Sequence, residues 1–206
     1  MAIIYDTSGS MQDNVRDGTG NMSPKWVIAN RALESVAARI QAFATNTATG
    51  EHRNVQAGLF IFDGAGAKVA VKFGPFDAQA FHDWAQKFKH PSGTTPLGKT
   101  LEAAAHAVLD SGLTRKHVLI ITDGENTSGP SPAEVMPRLK RLAEEKQTGL
   151  SVHFVAFDVD ARVFANVKKQ GATVVGASDE NQLNQQLEFI LEKKILLEEE
   201  EPPQKK

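Results

Sequence analysis

Three groups of oxygen-bearing side chains could bind a divalent cation together. Asp6, Ser8 and Ser10 follow the apolar segment at the start of the chain, and Asp123 follows the most apolar segment of its second half. Thr94-Thr95 lies in a loop before a helical pattern. In an open parallel sheet, the carboxyl ends of the strands on either side of the reversal in strand order form a crevice. If the two apolar segments are those strands, both acidic loops line the crevice and the threonine loop lies above it.

This donor set predicts a magnesium site, with Mn²⁺ or Ca²⁺ as alternatives. Carboxylates and hydroxyls are hard oxygen donors, and the cluster includes neither the imidazole nor the thiolate that zinc and copper favour. Magnesium releases its waters reluctantly, so we expect neutral hydroxyls to bind directly and carboxylates to act behind bound water. A metal held in this way keeps much of its positive charge and one exchangeable position. It could therefore accept the carboxylate of an Asp or Glu from a partner protein.

The three segments resemble the metal-ion-dependent adhesion site of von Willebrand factor A domains. Residues 6–10, Asp-Thr-Ser-Gly-Ser, match the DxSxS motif of that family. Residues 93–98, Gly-Thr-Thr-Pro-Leu-Gly, are similar to its threonine loop, and residues 121–124, Ile-Thr-Asp-Gly, to its aspartate loop. DxSxS alone is a weak signal, but three segments in order, each at the right end of its element, are a strong one. The resemblance covers residues 2–197.

The resemblance implies a role for each of five residues. Ser8, Ser10 and Thr95 would be metal ligands, and Asp6 and Asp123 would act largely through water. Thr95 is preferred to the threonine before it because the run from Thr95 into the next helix fits the family better. The implied function is a protein-binding module rather than an enzyme, in which the metal bridges to an acidic side chain of another protein. The loop 12–21 looks longer than is usual in the family and would stand beside the metal.

Apolar runs that alternate with helical patterns predict an α/β fold. We expect a Rossmann-like, doubly wound, mostly parallel six-stranded sheet with one antiparallel edge strand and helices on both faces. The predicted strands are 2–5, 55–62, 68–73, 118–122, 150–157 and 172–175. The first predicted helix begins at Pro24, with Ser23 as its N-cap. The other predicted helices are 77–88, 97–109, 131–146, 162–169 and 182–197. Residues 6–23 are predicted to be a polar loop, and residues 63–66 a turn.

Length and composition indicate one globular domain. The chain has 206 residues, 41% hydrophobic and 23% charged, with a formal net charge of −2. Such a balance offers no basic excess for nucleic acid, and the absence of cysteine excludes disulfides and thiolate sites. We expect a single domain over residues 1–197, a charged and frayed tail over residues 198–206, and a monomer. Neither a signal peptide nor a membrane-spanning segment is visible; a full-length chain would be cytoplasmic, but the compartment stays open.

The same residues also allow a different function. In a phosphatase of the haloacid-dehalogenase type that depends on Mg²⁺, Asp6 would be the nucleophile, Thr122 would bind phosphate, and Asp158 and Asp160 would complete the acidic set. That chemistry wants a second carboxylate two residues after the nucleophile, where this chain has Ser8. A purely structural scaffold that binds metal weakly or not at all is a third possibility. The six histidines, His52 among them, show no metal-ligand spacing, and residues 13–18 only faintly resemble a calcium loop.

Overall fold

The structure is a computed structural model that describes residues 1–45, 53–64 and 66–196. Its strands are β1 (Ala2–Tyr5), β2 (Asn14–Arg16), β3 (Met22–Pro24), β4 (Gln56–Asp63), β5 (Gly66–Pro75), β6 (His117–Thr122), β7 (Ser151–Phe157) and β8 (Thr173–Ala177). Its α-helices are α1 (Lys25–Ala44), α2 (Ala78–Lys87), α3 (Leu97–Leu109), α4 (Pro132–Glu145), α5 (Ala165–Lys169) and α6 (Glu180–Ile190). Short 3-10 helices span Gly9–Gln12 and Ala161–Phe164, and a π-helix spans Leu191–Leu196.

Six of these strands form one twisted sheet in the order β5-β4-β1-β6-β7-β8. All neighbouring pairs are parallel except the edge pair of β4 and β5. Strands β4 and β5 lie on one side of β1, and the later strands β6, β7 and β8 lie on its other side. The strand order therefore reverses between β1 and β6. The predicted fold class is therefore confirmed. The pairing of Ala2 with Val118 also makes the two predicted central strands direct neighbours.

The strands are apolar throughout because both faces of the sheet are covered by helices. Ile3 and Tyr5 face a core formed with α1, α2 and α6, whereas Ala2 and Ile4 face a second core formed with α3, α4 and α5. All four residues of β1 are completely buried. The central strands are thus held rigidly, and the loops at their carboxyl ends have fixed starting points.

The segment 6–23 is more ordered than a polar loop. It contains the 3-10 helix and a two-stranded hairpin, in which β2 pairs antiparallel with β3. The carboxylate of Asp17 holds the hairpin turn by accepting hydrogen bonds from Thr19, Asn21 and Ser23. The prediction that Ser23 caps α1 is wrong, because its hydroxyl bonds Asp17 and α1 begins one residue after Pro24. Sequence periodicity missed the hairpin because each strand has only three residues.

Other boundaries differ by one to a few residues. The predicted helix 162–169 divides into the second 3-10 helix and α5, and the last helix begins at Glu180 and changes to π geometry after Ile190. Leu197, the tail 198–206, His52 and Ala65 of the turn 63–66 lie outside the described residues. Among the helices that the structure describes, none combines the length and apolar character needed to cross a membrane.

Candidate metal centre

Hydrogen bonds of the backbone and of the Thr127 hydroxyl tie the three predicted loops together at one edge of the sheet. Asp6 donates its N–H to the carbonyl of Ile121 at 3.0 Å, which joins the ends of β1 and β6. Gly9 donates to the carbonyl of Gly93 at 3.2 Å, which joins the first loop to the threonine loop. Thr95 and Thr127 exchange two hydrogen bonds of 2.8 and 3.0 Å, which join the threonine loop to the loop after β6. The crevice that the sequence predicted is therefore built from all three loops.

Four of the five predicted site residues form one chain of hydrogen bonds. The Ser8 hydroxyl donates to Asp6 Oδ1 at 2.5 Å and lies 3.1 Å from the Ser10 hydroxyl. The Ser10 hydroxyl donates to Asp123 Oδ1 at 2.8 Å. Asp6, Ser8 and Asp123 are buried, whereas Ser10 is exposed. The site is thus open to solvent on the side of Ser10 and closed behind it.

Asp6 is the deepest of these residues and has no exposed surface. Besides its bonds from Ser8, its Oδ2 accepts a hydrogen bond of 2.5 Å from the Thr122 hydroxyl. Burial, and next the charge of Asp123, raise the pKa of Asp6 to about 6, although the hydroxyl donors oppose the shift. Two carboxylates buried close together repel each other, and a cation between them would relieve that repulsion. This electrostatic environment fits a metal ion.

The two adjacent threonines have different environments. Thr94 is exposed, and its hydroxyl donates to the carbonyl of Gly64 at 2.9 Å. Thr95 is buried, with 4% of its surface exposed, and its backbone is held by Thr127. The Thr94 hydroxyl is therefore engaged with the loop after β4, whereas Thr95 is buried and bonded to the loop after β6. Thr95 is thus outside the hydrogen-bonded chain of the other four residues, and its role as a ligand stays a prediction.

The loop after β6 is kept close to α3 by a glycine and an asparagine. Asn126 accepts a hydrogen bond from the N–H of Gly98 at 3.1 Å and donates to the carbonyl of Gly129 at 3.0 Å. A Cβ atom on Gly98 would lie 2.1 Å from the carbonyl oxygen of Pro130. Only glycine permits this approach. Asn126 therefore positions the loop of Asp123, while the neighbouring Glu125 is exposed.

Two charged residues that the sequence did not assign to the metal site complete the cluster. Lys25 places its ammonium 3.1 Å from Asp123 Oδ2 and 3.0 Å from Asp158 Oδ2. Burial alone would lower the pKa of Lys25, but the two carboxylates outweigh that effect and raise the pKa. A signal was present, because Lys25 shares the buried stripe of α1 with Ile28 and Ala29 at helical spacing. A lysine at the buried start of a helix needs a carboxylate partner.

The hairpin of β2 and β3 stands beside the cluster, as expected for the loop 12–21. Lys25 donates its backbone N–H to the carbonyl of Asp13 at 2.8 Å. On the far side, Glu180 accepts a hydrogen bond of 2.7 Å from the N–H of Gly18 and a two-pronged ion pair from Arg31. The hairpin is therefore fixed to α1 and to α6.

The oxygen atoms of the cluster come from hydroxyls and carboxylates, which are ligand types that hard divalent cations prefer. Over residues 1–45, 53–64 and 66–196, no group of three or more His, Cys, Asp or Glu side chains could hold a metal. A metal here must therefore draw ligands from the hydroxyls as well as the two carboxylates. His117 and His153 lie at the amino-terminal side of β6 and β7, away from the site, with ring nitrogens 3.3 Å apart.

A family model for the von Willebrand factor type A domain matches residues 1–188. None of the curated proteins matches the chain significantly. Similar folds among solved structures include the PilB minor pilin from Streptococcus sanguinis, at 16% identity and a TM-score of 0.65, over 92% of this chain and 60% of the pilin. The VWA domain of SpRpn10 has 12% identity and a TM-score of 0.61, with 94% of each chain covered.

A third similar fold is proximal thread matrix protein 1 from the mussel byssus, whose MIDAS motif is occupied by zinc in one structure. It has 18% identity and a TM-score of 0.62, over 93% of this chain and 46% of the mussel protein. The chain thus spans less than two thirds of the pilin and of the mussel protein. At these identities, the similarity shows the fold alone.

Proposed function

This chain belongs to the von Willebrand factor type A family, and we propose that it is a non-enzymatic protein-binding module that depends on Mg²⁺. Ser8, Ser10 and Thr95 bind the metal directly, and Asp6 and Asp123 hold it largely through bound water. The observation that carries the proposal is the hydrogen-bonded chain from Asp6 to Asp123, which unites carboxylates and hydroxyls from separate loops. Family members generally act as interaction modules, and the hydrogen-bonded cluster of the three loops supports the same role for this chain.

The buried residues of the site hold the cation, and the exposed residue Ser10 lies on the side where a partner can reach it. A bound divalent ion supplies a positive charge that attracts an anionic ligand. Neutral hydroxyls leave most of that charge in place, whereas two direct carboxylate ligands would cancel it. Ser10 is exposed and marks the open side, so the carboxylate of a partner's Asp or Glu approaches from there. The buried Asp6 and Ser8 stay fixed behind it.

The identity of the metal follows from the donors rather than from the relatives. The mussel protein carries zinc in its MIDAS motif, which supports divalent occupancy of this fold. In the present chain, the assembled donors are all oxygen atoms, which favour Mg²⁺, Mn²⁺ or Ca²⁺ over zinc. We therefore name Mg²⁺ as the resident metal, with Mn²⁺ and Ca²⁺ as alternatives.

The geometry does not favour the phosphatase alternative. Asp6 is fully buried and both of its carboxylate oxygens accept hydrogen bonds, so a phosphate ester has no exposed carboxylate oxygen to approach. Ser8 stands in the place of the general acid. Asp158 is paired with Lys25, and Asp160 with Arg162 of its own turn. We expect no hydrolysis of a generic aryl phosphate in the presence of Mg²⁺, which a colorimetric assay checks.

Calorimetric titration of the chelator-treated chain with Mg²⁺, Mn²⁺, Ca²⁺ and Zn²⁺ tests the metal site. We expect saturable binding with the three hard cations and a rise in melting temperature. A pull-down with and without chelator, followed by substitution of the captured protein's Asp and Glu residues, tests the carboxylate bridge. If millimolar Mg²⁺, Mn²⁺ and Ca²⁺ all fail to bind, the proposal is wrong. Light scattering checks the separate prediction that the chain is a monomer.

A further inference from the structure

A buried lysine lies beside the proposed metal site and already neutralises part of its negative charge. The Lys25 ammonium lies between Asp123 and Asp158, at 3.1 and 3.0 Å, and only 6% of its side chain is exposed. Asp123 is one of the two carboxylates assigned to the metal, and its side chain is completely buried. The protein therefore carries its own cation on a carboxylate that the metal also needs.

This position is costly for a lysine unless the carboxylates hold it there. Lys25 is the first residue of α1, where the positive end of the helix dipole disfavours a cation. Removing an ammonium from water is also unfavourable unless it is paired. Asp13 lies 3.9 Å away and is largely exposed, so it contributes little. The ion pairs with Asp123 and Asp158 are thus what makes the buried lysine stable.

Asp158 is held in place for this contact by its backbone. Its φ is 54°, in the left-handed region that aspartate tolerates better than most residues but seldom adopts. Its N–H donates to the carbonyl of Ala177 at 2.7 Å, which fixes the turn after β7. The lysine pair therefore links the start of α1 to the ends of β6 and β7.

The charges of the cluster show what the lysine changes. Asp6, Asp123 and Asp158 carry a formal charge of −3 when ionised, and Lys25 brings the sum to −2. Without the lysine, a divalent cation would enter a more negative site and would not share Asp123 with an ammonium. Like charges close together in a poorly solvated site weaken each other's binding. Lys25 and a metal therefore compete for the same negative charge.

We propose that Lys25 is a tethered counter-ion that weakens divalent-cation binding and stabilises the fold when the metal is absent. The inference rests on the proposed function, since it concerns the same metal site. Its consequence is a module that stays folded without metal and loads it reversibly. The partner-binding state is then governed by the supply of free cation.

Calorimetric titration of Lys25→Met with MgCl₂ tests this role, since methionine keeps most of the length and removes the charge. We expect the Kd for Mg²⁺ to fall by at least about ten-fold, which is roughly 1.4 kcal/mol. The melting temperature of the metal-free variant should fall, and saturating Mg²⁺ should raise it by more than in the unmodified chain. The matched control is Lys168→Met on the exposed side of α5, which should leave the Kd unchanged.

A double variant keeps the test decisive if the single variant does not fold without metal. Lys25→Met with Asp158→Asn removes both members of the outer ion pair, so the formal charge of the cluster stays at −2. Asp123 is then no longer shared with an ammonium, and we expect tighter Mg²⁺ binding than in the unmodified chain. Asp158→Asn alone should weaken binding, because the lysine then neutralises Asp123 by itself.

The outcomes separate this inference from the proposed function. Equal Mg²⁺ affinity in the unmodified chain and in the lysine variants would overturn the role of Lys25 and leave the metal site intact. Binding by the variants without binding by the unmodified chain would support the counter-ion and contradict the proposed function. If none of these proteins binds Mg²⁺, both proposals fail.

Discussion

The Ser10 hydroxyl donates a hydrogen bond of 2.8 Å to Asp123 across 113 positions of sequence. Ser10 is held for this contact by the 3-10 helix, in which Met11 is completely buried and anchors the turn. Asp123 is held by the end of β6, which pairs with β1. The contact joins the 3-10 helix to the end of β6, so the side chains of the proposed site are held in a defined arrangement.

Asp123→Ala should lose Mg²⁺ binding while the fold is kept. The substitution relieves the repulsion between Asp123 and Asp6, and Lys25 keeps its ion pair with Asp158, so the helical content seen by circular dichroism should not change. The affinity loss should be at least the roughly 10–100-fold that outer-shell partners of a metal contribute. Ser10→Ala should behave similarly. Unchanged binding in calorimetry would refute the site.

Asp17→Ala is the matched acidic control for that experiment. Asp17 holds the hairpin turn, and its hydrogen bonds from Thr19 and Ser23 lower its pKa to about 2. Its role is thus to fix the turn, and Mg²⁺ affinity should not change when it is removed. A large loss of affinity would instead revive the calcium-loop interpretation of residues 13–18.

Thr95→Val should weaken metal binding, whereas Thr94→Val should not. Valine matches the shape of threonine and deletes only the hydroxyl, so a loss at Thr95 reports on that oxygen. The Thr94 hydroxyl bonds Gly64 instead, and its removal should cost about 1 kcal/mol of stability at most. Calorimetry with Mg²⁺ and thermal unfolding measure the two effects. Equal affinity losses in both variants would contradict the assignment of Thr95.

Gly98→Ala should destabilise the chain and weaken the metal site together. The added Cβ would meet the Pro130 carbonyl oxygen at 2.1 Å, so α3 and the loop after β6 must move apart. Overpacking of this kind typically costs about 1–3 kcal/mol. The control is Gly112→Ala, where no atom lies within 4 Å of the new Cβ. Urea unfolding gives the stability, and a Gly98 variant as stable as the control would contradict the close approach.

Two buried histidines should make the chain lose stability as the pH falls below about 6.5, and the raised pKa of Asp6 should offset part of that loss below about pH 6. Burial, and then the charge of His153, lower the pKa of His117 to about 3, and burial lowers that of His153 to about 4. Between these values and 6.5 the unfolded chain binds protons that the folded chain does not. Folding is therefore disfavoured by up to about 1.4 kcal/mol per pH unit for each histidine.

Urea unfolding of His117→Gln at several pH values isolates this contribution. The slope of the unfolding free energy against pH should decrease between pH 6 and pH 4. The decrease should be at most about 1.4 kcal/mol per pH unit, the value for one bound proton. The control is His106→Gln on the exposed side of α3, which should keep the original slope. A slope unaltered by the His117 change would show that this residue does not titrate differently in the folded state.

The sequence by itself determined the fold class and the residues of the proposed site. Local information sufficed for the elements. Strands that are covered on both faces appear in the sequence as continuous apolar runs, and amphipathic helices appear as apolar residues at helical spacing. The same runs place Asp6 and Asp123 at strand ends. Resemblance to a family then singled out Thr95, and the matching family model confirms that family over residues 1–188. The metal roles of these residues remain predictions.

Only the tertiary structure decided which charged side chains surround the site and which elements pack beside it. The order β4-β1-β6-β7 brings the end of β7, and with it Asp158, to the start of α1 where Lys25 lies. The hairpin of β2 and β3 is likewise held by Glu180 of α6, from the other end of the chain. Periodicity reports which side of an element is buried, but not which distant element covers it. Ion pairs between such elements depend on strand order and register, which are properties of the whole fold.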